Sequence, residues 1–368
     1  MKDFYCAAPW RGLHIDLDGD IRLCCAGQSG IFGNIKSHDL TVLTDSPYLR
    51  DIRQSISQGR LHETYCKGCI NNVGRGEREW FNETHQDIDL QSSETDAPHE
   101  FQSIDLRWNN TCNLACTYCD PYFSSTWASI RKTKAPQPPA RQFDKVTEQI
   151  MAQAPVIKTA MLVGGEPLLI SHNQRLLDSL PRSTTVVVIT NLSVPLEQNR
   201  IFQTLSKRNN VNWNVSIENV GVRFEFVRRG ASWPLLCDNL DTLTSLFPAH
   251  TVGISAIYHV FNCTRLVEFR QEMQDRNINV NWNTVNQDYL DSRYHAEPVR
   301  QAASREITRL LSSSVDLSDT EIDFFRQMQL DLQQGLGGSN ILSDFKYHIA
   351  QEQNLFAELW PELQGSIT

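Results

Sequence analysis

Three cysteines stand close together in the segment WNNTCNLACTYCD, residues 108–120: Cys112, Cys116 and Cys119. Their C-x3-C-x2-C spacing suits a loop that wraps thiolates around one ion or cluster. A structural zinc site is normally closed by a fourth Cys or His, yet the nearest histidines, His99 and His172, lie outside this loop. The triplet therefore favours an iron–sulfur cluster with one open iron, where a chelating molecule can bind.

A second group of cysteines precedes this loop and has the members Cys6, Cys24, Cys25, Cys66 and Cys69. The chain has 10 cysteines, and only Cys237 and Cys263 lie beyond residue 120. Such clustering without a secretory signal indicates metal or redox chemistry rather than a disulfide framework. Four of these five thiols are enough for a closed iron–sulfur site, although zinc would suit four thiolates equally.

The elements that must carry the second group are a hairpin and a helix. LHIDLDGDIRLCC alternates apolar and polar residues around an Asp18-Gly19 turn, which predicts a β-hairpin. Ser46 and Pro47 then open a helix that ends near Gly59. Residues 82–100 are acidic and polar, which predicts a linker.

From residue 101 onwards, β-rich runs alternate with helical stretches, which indicates βαβ units and a parallel sheet. Two folds fit this pattern, a partial barrel and an open doubly wound sheet. The sequence lacks the phosphate-binding glycine fingerprints of nucleotide-binding folds, which disfavours the doubly wound sheet. Residues 298–360 look helical, with SDTE at 318–321 in the form of a capping box. The predicted strands are 103–108, 159–165, 184–190, 211–217, 251–260 and 279–285, and the predicted helices between them are 142–153, 195–208, 234–246 and 264–276.

The cysteine loop, NNTCNLACTYC, resembles the cluster motif of radical S-adenosylmethionine (radical SAM) enzymes. The resemblance implies a [4Fe–4S] cluster held by the three cysteines, with SAM chelating the open iron. It also implies one-electron cleavage of SAM to a 5′-deoxyadenosyl radical that abstracts a substrate hydrogen. The implied fold is α/β, a partial (β/α)6 TIM-like barrel over residues 101–290.

Further segments are similar to SAM-binding motifs of that family. VGGEP (163–167) resembles its GGE motif, in which the glycines allow close backbone approach and the carboxylate receives the SAM amino group. ITN (189–191) and SIE (216–218) end the third and fourth predicted strands, and an arginine after the fourth would pair with the SAM carboxylate. The resemblance thus implies SAM contacts from Tyr118, Gly164, Gly165, Glu166, Asn191, Ser216, Glu218 and Arg228, with Arg229 as the alternative to Arg228.

The spacing Cys6-x12-Gly19-x4-Cys24 resembles the opening of SPASM and twitch modules, which bind auxiliary iron–sulfur clusters. The resemblance implies a single auxiliary cluster, [4Fe–4S] by default, with zinc as the structural alternative. Its ligands would be Cys6, Cys24, Cys66 and Cys69, with Cys25 as alternate because neighbours on a strand face opposite ways.

Such modules usually follow the barrel, whereas this one precedes it, so the order is swapped. The predicted domains are a twitch-like module (1–81), the linker (82–100), the barrel (101–290) and a helical carboxyl-terminal extension (291–368).

Composition limits the remaining classes of function. The 34 basic and 43 acidic residues give a net charge of −9 without a basic stripe, which disfavours nucleic acid as a partner. No apolar run reaches the about 20 residues of a membrane span, and the amino terminus lacks a signal-peptide pattern. We therefore expect a cytoplasmic protein that receives electrons from a reductant such as flavodoxin or ferredoxin.

The predicted function is oxidation, epimerisation or cross-linking of a peptide or natural product. Two alternatives stay open: the same chemistry on a small metabolite such as a sugar or amino acid, and a non-catalytic iron–sulfur electron-transfer or scaffold protein. The sequence does not identify the residue that completes turnover. Cys237, Cys263, Tyr258 and His259 are candidates, although each is more typical of a core or wall position.

Overall fold

A computed structural model describes residues 5–27, 30–43, 46–70, 75–88, 95–134, 140–336, 345–346, 349 and 353–366. The strands are β1 (Gly12–Ile15), β2 (Asp20–Arg22), β3 (Gly33–Asn34), β4 (Ser103–Leu106), β5 (Ala115–Cys116), β6 (Thr159–Leu162), β7 (Thr185–Thr190), β8 (Val211–Ser216), β9 (Arg228–Arg229), β10 (Val252–Tyr258) and β11 (Asn279–Thr284). The helices are α1 (Ala8–Arg11), α2 (Pro47–Ser57), α3 (Lys67–Ile70), α4 (Arg75–Thr84), α5 (Ser125–Arg131), α6 (Ala140–Ala152), α7 (Ser171–Ser179), α8 (Arg200–Leu205), α9 (Gly221–Val227), α10 (Trp233–Leu246), α11 (Leu266–Asp275), α12 (Glu297–Leu311), α13 (Asp319–Gln334) and α14 (Gln353–Leu359).

The chain divides into two units with dense internal contacts. The amino-terminal unit comprises Met1–Cys112, Pro121–Thr190 and Leu196–Asn212, and the carboxyl-terminal unit comprises Asn113–Asp120, Asn191–Pro195 and Trp213–Thr368. Each unit is described below by itself.

The amino-terminal unit is built on a sheet in which β1, β4, β6 and β7 run parallel. Strands β2 and β3 continue this sheet antiparallel from β1. The turn between β1 and β2 contains Gly19 at φ 85°, a left-handed conformation that suits glycine. The predicted hairpin and its Asp18-Gly19 turn are therefore confirmed.

The carboxyl-terminal unit holds the parallel strands β8, β10 and β11. Its core lies between β10 and the helices α11, α12 and α13, where Leu266, Ile307 and Phe325 are fully buried. A second apolar cluster joins Phe226 and Phe261 to Trp360, just after α14.

The predicted fold class is confirmed: the protein is mixed α/β with parallel strands that alternate with helices, as in a partial TIM-like barrel. The capping box at the start of α13 is also confirmed. The Ser318 side chain accepts from the Glu321 N–H, and the Glu321 side chain accepts from the Ser318 N–H. The predicted helix 195–208 is wrong at its start, because α8 begins only at Arg200. Asn199 caps it there, with its side chain accepting from the Phe202 N–H.

The segment predicted as a linker, 82–100, begins inside α4, which continues to Thr84. His85 and His99 are buried, at 1% and 5% exposure, so both ends of the segment pack against the unit. Residues 89–94 of this segment lie outside the described residues. Among the helices of the described ranges, none combines the length and apolar character needed to cross a membrane.

Candidate functional site

Cys112 is held by the start of α5 in the amino-terminal unit. Its N–H donates to the Ser125 hydroxyl at 3.0 Å, and its carbonyl accepts from the Ser125 and Thr126 hydroxyls at 3.1 and 2.7 Å. Ser124 caps the same helix by accepting from the Trp127 N–H. Sequence reasoning missed these hydroxyl residues, although Ser-Ser-Thr before an apolar helical run is a recognisable helix start.

The glycine segment after β6 lies directly against the residues that precede Cys112. The Glu166 N–H donates to the Thr111 carbonyl at 2.7 Å. A Cβ at Gly165 would lie 2.3 Å from that same oxygen and 2.6 Å from the Asn110 carbonyl oxygen. Gly164 has φ 128°, a conformation that side chains rarely adopt. Both glycines are therefore required by the way this segment meets the cysteine loop.

Replacing Gly165 by alanine should displace the cysteine loop, because two backbone oxygens occupy the space that the new methyl group needs. Overpacking of this kind costs about 1–3 kcal/mol, and we expect the variant to retain less iron than the parent after reconstitution. Gly253→Ala on β10 is the control, since its nearest neighbours would be 3.8 Å away. Equal iron content in the two variants would contradict the close packing of Gly165 against the cysteine loop.

Glu166 is fully buried at the amino end of the turn Pro167–Leu169. Its Oε1 accepts from the Leu168 N–H at 3.1 Å and from the Thr190 hydroxyl at 2.7 Å. Glu166 follows β6 and Thr190 ends β7, so this hydrogen bond links the carboxyl-terminal ends of the two strands. Thr190 is a further position that sequence reasoning missed.

In the carboxyl-terminal unit, a short strand pair holds the part of the cysteine loop that contains Cys116. β5 pairs antiparallel with β9, placing Cys116 opposite Arg228. The Cys119 N–H donates to the Cys116 carbonyl at 3.1 Å, which closes a tight turn between the two thiols. Arg229, the alternative to Arg228, is half-buried and lies opposite Ala115.

Arg228 forms a buried ion pair with Glu218. The distances from Glu218 Oε2 to Nη2 and Nε of Arg228 are 2.7 and 3.2 Å. The guanidinium also lies 5.4 Å from the centre of the Tyr118 ring, and its Nη1 is 4.0 Å from Cys116 Sγ. Burial alone would lower the pKa of Arg228, but the Glu218 charge outweighs it and raises that pKa above its usual value. A fixed positive charge therefore sits beside Cys116.

His259 follows β10 and is fully buried, with its ring 5.8 Å from the Tyr118 ring. Burial, together with the nearby Arg228 charge, lowers its pKa to about 3, so the ring is neutral at physiological pH. Its Nδ1 accepts from the Phe261 N–H at 3.1 Å, which places the proton on Nε2. His259 is one of the four residues that the sequence leaves as candidates for completing turnover. Its position beside Tyr118 distinguishes it from the other three.

Among the described residues, the buried His259 Nε2 has no hydrogen-bond partner. The Tyr118 hydroxyl faces the Glu218 side chain. Buried polar atoms are normally satisfied, so the His259 N–H beside Tyr118 fits a ligand with an acceptor atom. Burial and the Glu218 charge, against the opposing charge of Arg228, raise the pKa of the Tyr118 hydroxyl, which keeps it protonated.

The other predicted SAM contacts in this unit lie at strand ends. Asn191 follows β7, and its Nδ2 donates to Asn113 Oδ1 at 3.3 Å while its Oδ1 accepts from the Ser193 hydroxyl at 2.6 Å. Asn113, directly after Cys112, also donates to Ser193 at 2.9 Å. Ser216 is the last residue of β8 and lies opposite Ser255.

In the amino-terminal unit, Tyr65 connects the chain at Cys24 with the segment that carries Cys66. The Tyr65 hydroxyl accepts from the Leu23 N–H at 2.8 Å and lies 4.0 Å from Cys24 Sγ. Cys66 follows Tyr65 directly, and burial raises the pKa of its thiol to about 11. Metal binding would have to displace that proton.

The remaining members of this group are Cys6, Cys25 and Cys69. A Cβ at Gly68, between Cys66 and Cys69, would be 2.9 Å from the carbonyl oxygen of Ala26, which follows Cys25. Cys6 is buried, and the N–H of the next residue donates to Asn82 of α4. Within the described ranges, no three Cys, His, Asp or Glu side chains already converge as a metal-ion site. The ligand sets therefore remain predictions from spacing and family likeness.

Comparison with known proteins gives two family matches. The model of the radical SAM superfamily matches residues 107–271, and that of the iron–sulfur cluster-binding domain SPASM matches residues 6–70. No curated protein matches the sequence at a significant level.

Several solved structures are similar in part. Native anSMEcpe with bound AdoMet is 14% identical, with 55% of this chain and 57% of that chain covered and a TM-score of 0.41. Streptococcus suis SuiB bound to S-adenosylmethionine is 11% identical, with 72% and 64% covered and a TM-score of 0.42. SuiB bound to precursor peptide SuiA is 10% identical, with 79% and 66% covered and a TM-score of 0.41. The chain thus spans less than two thirds of the length of each of these proteins.

Proposed function

We propose that this chain, which matches the radical SAM superfamily model over residues 107–271 and the SPASM iron–sulfur domain model over residues 6–70, cleaves SAM reductively and abstracts a hydrogen atom from a peptide substrate. Its cofactors are accordingly a [4Fe–4S] cluster, SAM and an auxiliary iron–sulfur cluster. When bound, the first cluster supplies the electron that cleaves SAM. The reaction class after hydrogen abstraction stays open.

The observation that carries the proposal is the contact between the glycine segment and the cysteine loop. The backbone N–H of Glu166 donates to the carbonyl of Thr111, one residue before Cys112, and the Glu166 carboxylate is fully buried. An electron-transfer or scaffold protein needs cysteines but has no need of this carboxylate. The contact therefore supports an enzyme that binds a second molecule at its cluster.

The predicted roles can be assigned to the chain's own residues. Cys112, Cys116 and Cys119 would hold the cluster, and Glu166 would accept from the SAM amino group. In the carboxyl-terminal unit, Arg228 would keep a positive charge beside Cys116 and face the SAM carboxylate. The other proposed SAM contacts are Tyr118, Gly164, Gly165, Asn191, Ser216 and Glu218.

His259 is a candidate that the structure adds to this set. Its Nε2–H is a buried donor without a partner among the described residues, so it suits a ligand with an acceptor atom. Because His259 is neutral at physiological pH, it would donate a hydrogen bond without adding charge.

The auxiliary cluster is proposed to be held by Cys6, Cys24, Cys66 and Cys69, with Cys25 as alternate to Cys24. Cys66→Ala should lose the auxiliary iron, spare SAM cleavage and impair product formation. Comparing Cys24→Ala with Cys25→Ala identifies the ligand, because only one of the two should lower iron content. Suppose Cys66→Ala removed no further iron from a variant that already lacks Cys112, Cys116 and Cys119; the auxiliary ligand set would then be wrong.

A peptide is the proposed substrate class, because auxiliary-cluster modules in similar proteins often accompany modification of ribosomally made peptides. A small metabolite is the alternative within the same chemistry. The test is to incubate the reduced protein and SAM with a short peptide encoded beside its gene and measure the peptide mass. A change in mass that depends on SAM supports a peptide substrate, whereas an unchanged peptide with undiminished SAM cleavage points to a metabolite. The flavodoxin or ferredoxin reductant and the cytoplasmic setting remain predictions.

A further inference from the structure

Strand β11 is paired on one side only among the residues that the structure describes. It runs parallel to β10, from Asn279 opposite Gly253 to Thr284 opposite Tyr258. Its other side is the end of the sheet. An unpaired strand edge presents a row of N–H and C=O groups that can bind another extended chain. Both strands belong to the carboxyl-terminal unit.

The hydrogen-bond register identifies the backbone groups on the unpaired side. The N–H of Val285, directly after β11, donates to the Tyr258 carbonyl at 3.3 Å. In a parallel pair, every second residue bonds to the neighbouring strand, and the residues between them direct their N–H and C=O groups the other way. Val280, Trp282 and Thr284 therefore direct these groups away from β10. Within the described ranges, nothing bonds to them there.

The two faces of β11 have different surroundings. Val280 and Trp282 face α11 and α13 and are partly or fully buried. Asn281 is exposed on the opposite face, in one row with Ser255 of β10 and Ser216 of β8. A strand added beyond β11 would lie three strand spacings from β8, which is about 14 Å. Because Ser216 is a proposed SAM contact, this edge suits the docking of a chain rather than its reaction.

A groove of about 470 Å³ is lined by β11, the end of α11 and the start of α13. Arg270 of α11 lines it and is held by two hydrogen bonds, from Nε to Glu321 at 2.7 Å and from Nη2 to the Asp316 carbonyl at 2.6 Å. Its Nη1 is buried without an acceptor among the described residues. Buried donors are normally satisfied, so this wall offers a donor to the carbonyl group of a bound chain.

The groove also carries an uncompensated negative charge. Glu321 is balanced by Arg270, whereas Asp316 is exposed and uses only its backbone groups, in bonds with Gln274 and Arg270. The Asp316 carboxylate thus has no partner in the part of the chain that the structure describes. It would attract a basic side chain, and the half-buried Trp282 provides an apolar surface for the stem of that side chain.

We infer that the unpaired edge of β11 docks a segment of the substrate peptide as an additional β-strand, with a lysine or arginine of that segment beside Asp316. Backbone hydrogen bonds to Val280, Trp282 and Thr284 hold the strand, as in other cases of strand addition. The inference rests on the peptide substrate of the proposed function. A second copy of the chain is a poorer occupant, because two chains with a net charge of −9 repel each other.

The test uses synthetic peptides that tile the short peptide encoded beside the gene. Each tile carries a fluorophore and is titrated with the iron-reconstituted protein, and hydrogen–deuterium exchange is measured with and without the tile that binds most tightly. We expect the amides of Val280, Trp282 and Thr284 to exchange freely in the protein alone and to become protected in the complex. We expect this tile to contain lysine or arginine.

Three variants separate the backbone and charge contributions. Thr284→Pro removes one outward N–H and keeps the bonds to β10, so the Kd of the tile should rise about fivefold or more, the factor for one lost hydrogen bond. Thr284→Ala keeps that N–H and should bind like the parent. Asp316→Lys should also weaken binding, whereas Asp178→Lys, the same charge change at an exposed position of α7, should not. If Thr284→Pro does not fold, the Asp316 comparison decides.

Several results would overturn the inference. They are protection of these amides in the free protein, binding of no tile, a bound or modified tile that leaves the amides unprotected, and equal affinity of the parent, Thr284→Pro and Asp316→Lys. Protection that rises with protein concentration alone would assign the edge to a second copy. All variants should release 5′-deoxyadenosine from SAM without peptide. Loss of that release in the parent would count against the proposed function, whereas lost docking with intact release counts only against this inference.

Discussion

Replacing Cys116 by alanine should abolish release of 5′-deoxyadenosine from SAM and remove about four iron atoms per chain, the content of one [4Fe–4S] cluster. Cys116 is buried opposite Arg228, so alanine removes a thiolate from a position fixed by strand pairing. Cys112→Ala and Cys119→Ala should have the same effect, because a cluster with two protein ligands is not retained. Iron content and deoxyadenosine are measured on the same reconstituted samples.

The matched control is Cys237→Ala, since Cys237 lies half-buried within α10 and belongs to neither cysteine group. It should keep the parent's iron content and SAM cleavage. Full iron content in Cys116→Ala, or equal loss in the control, would contradict the assignment of the three-cysteine loop.

The second large effect is expected at the buried pair of Glu218 and Arg228. Glu218→Gln keeps the shape of the side chain but leaves the Arg228 charge uncompensated, with Arg228 only 3% exposed. Breaking one partner of a buried ion pair costs about 3–5 kcal/mol. We therefore expect a large fall in the free energy of unfolding, measured by urea denaturation, together with weaker SAM binding.

A surface ion pair provides the control for this experiment. Arg223 and Glu268 are joined at 3.0 Å, but their side chains are 23% and 46% exposed. Exposed pairs of this kind contribute about 0–1 kcal/mol, so Glu268→Gln should change stability little. The double variant Glu218→Gln with Arg228→Met should recover part of the lost stability, because it removes the unpaired charge. Equal destabilisation by the Glu218 and Glu268 variants would show that the buried ion pair contributes no more to stability than the exposed one.

Much of the fold could be predicted because its signals are local in sequence. The Asp18-Gly19 turn, the capping box at Ser318 and the alternation of strands with helices each depend on residues close together in the chain. The three-cysteine loop and the glycine segment are likewise short patterns. The start of α8 was predicted too early, because Asn199 was not recognised as the capping residue.

The parts that sequence could not reveal depend on contacts between distant residues. No local pattern indicates that β1 pairs with β4, since the register of a parallel pair is set by packing across the sheet. The pairing of Glu218 with Arg228 and the position of His259 beside Tyr118 join residues from four separate parts of the chain. These contacts decide which of the predicted polar residues are buried together and which merely end a strand.

The most direct test of the central claim is SAM turnover by the reconstituted protein under anaerobic conditions with dithionite as reductant. We predict 5′-deoxyadenosine and methionine in equal amounts, formed only when reductant, Cys112, Cys116 and Cys119 are all present. The contradictory result would be no deoxyadenosine from a reduced protein whose iron content and paramagnetic resonance signal show an intact cluster.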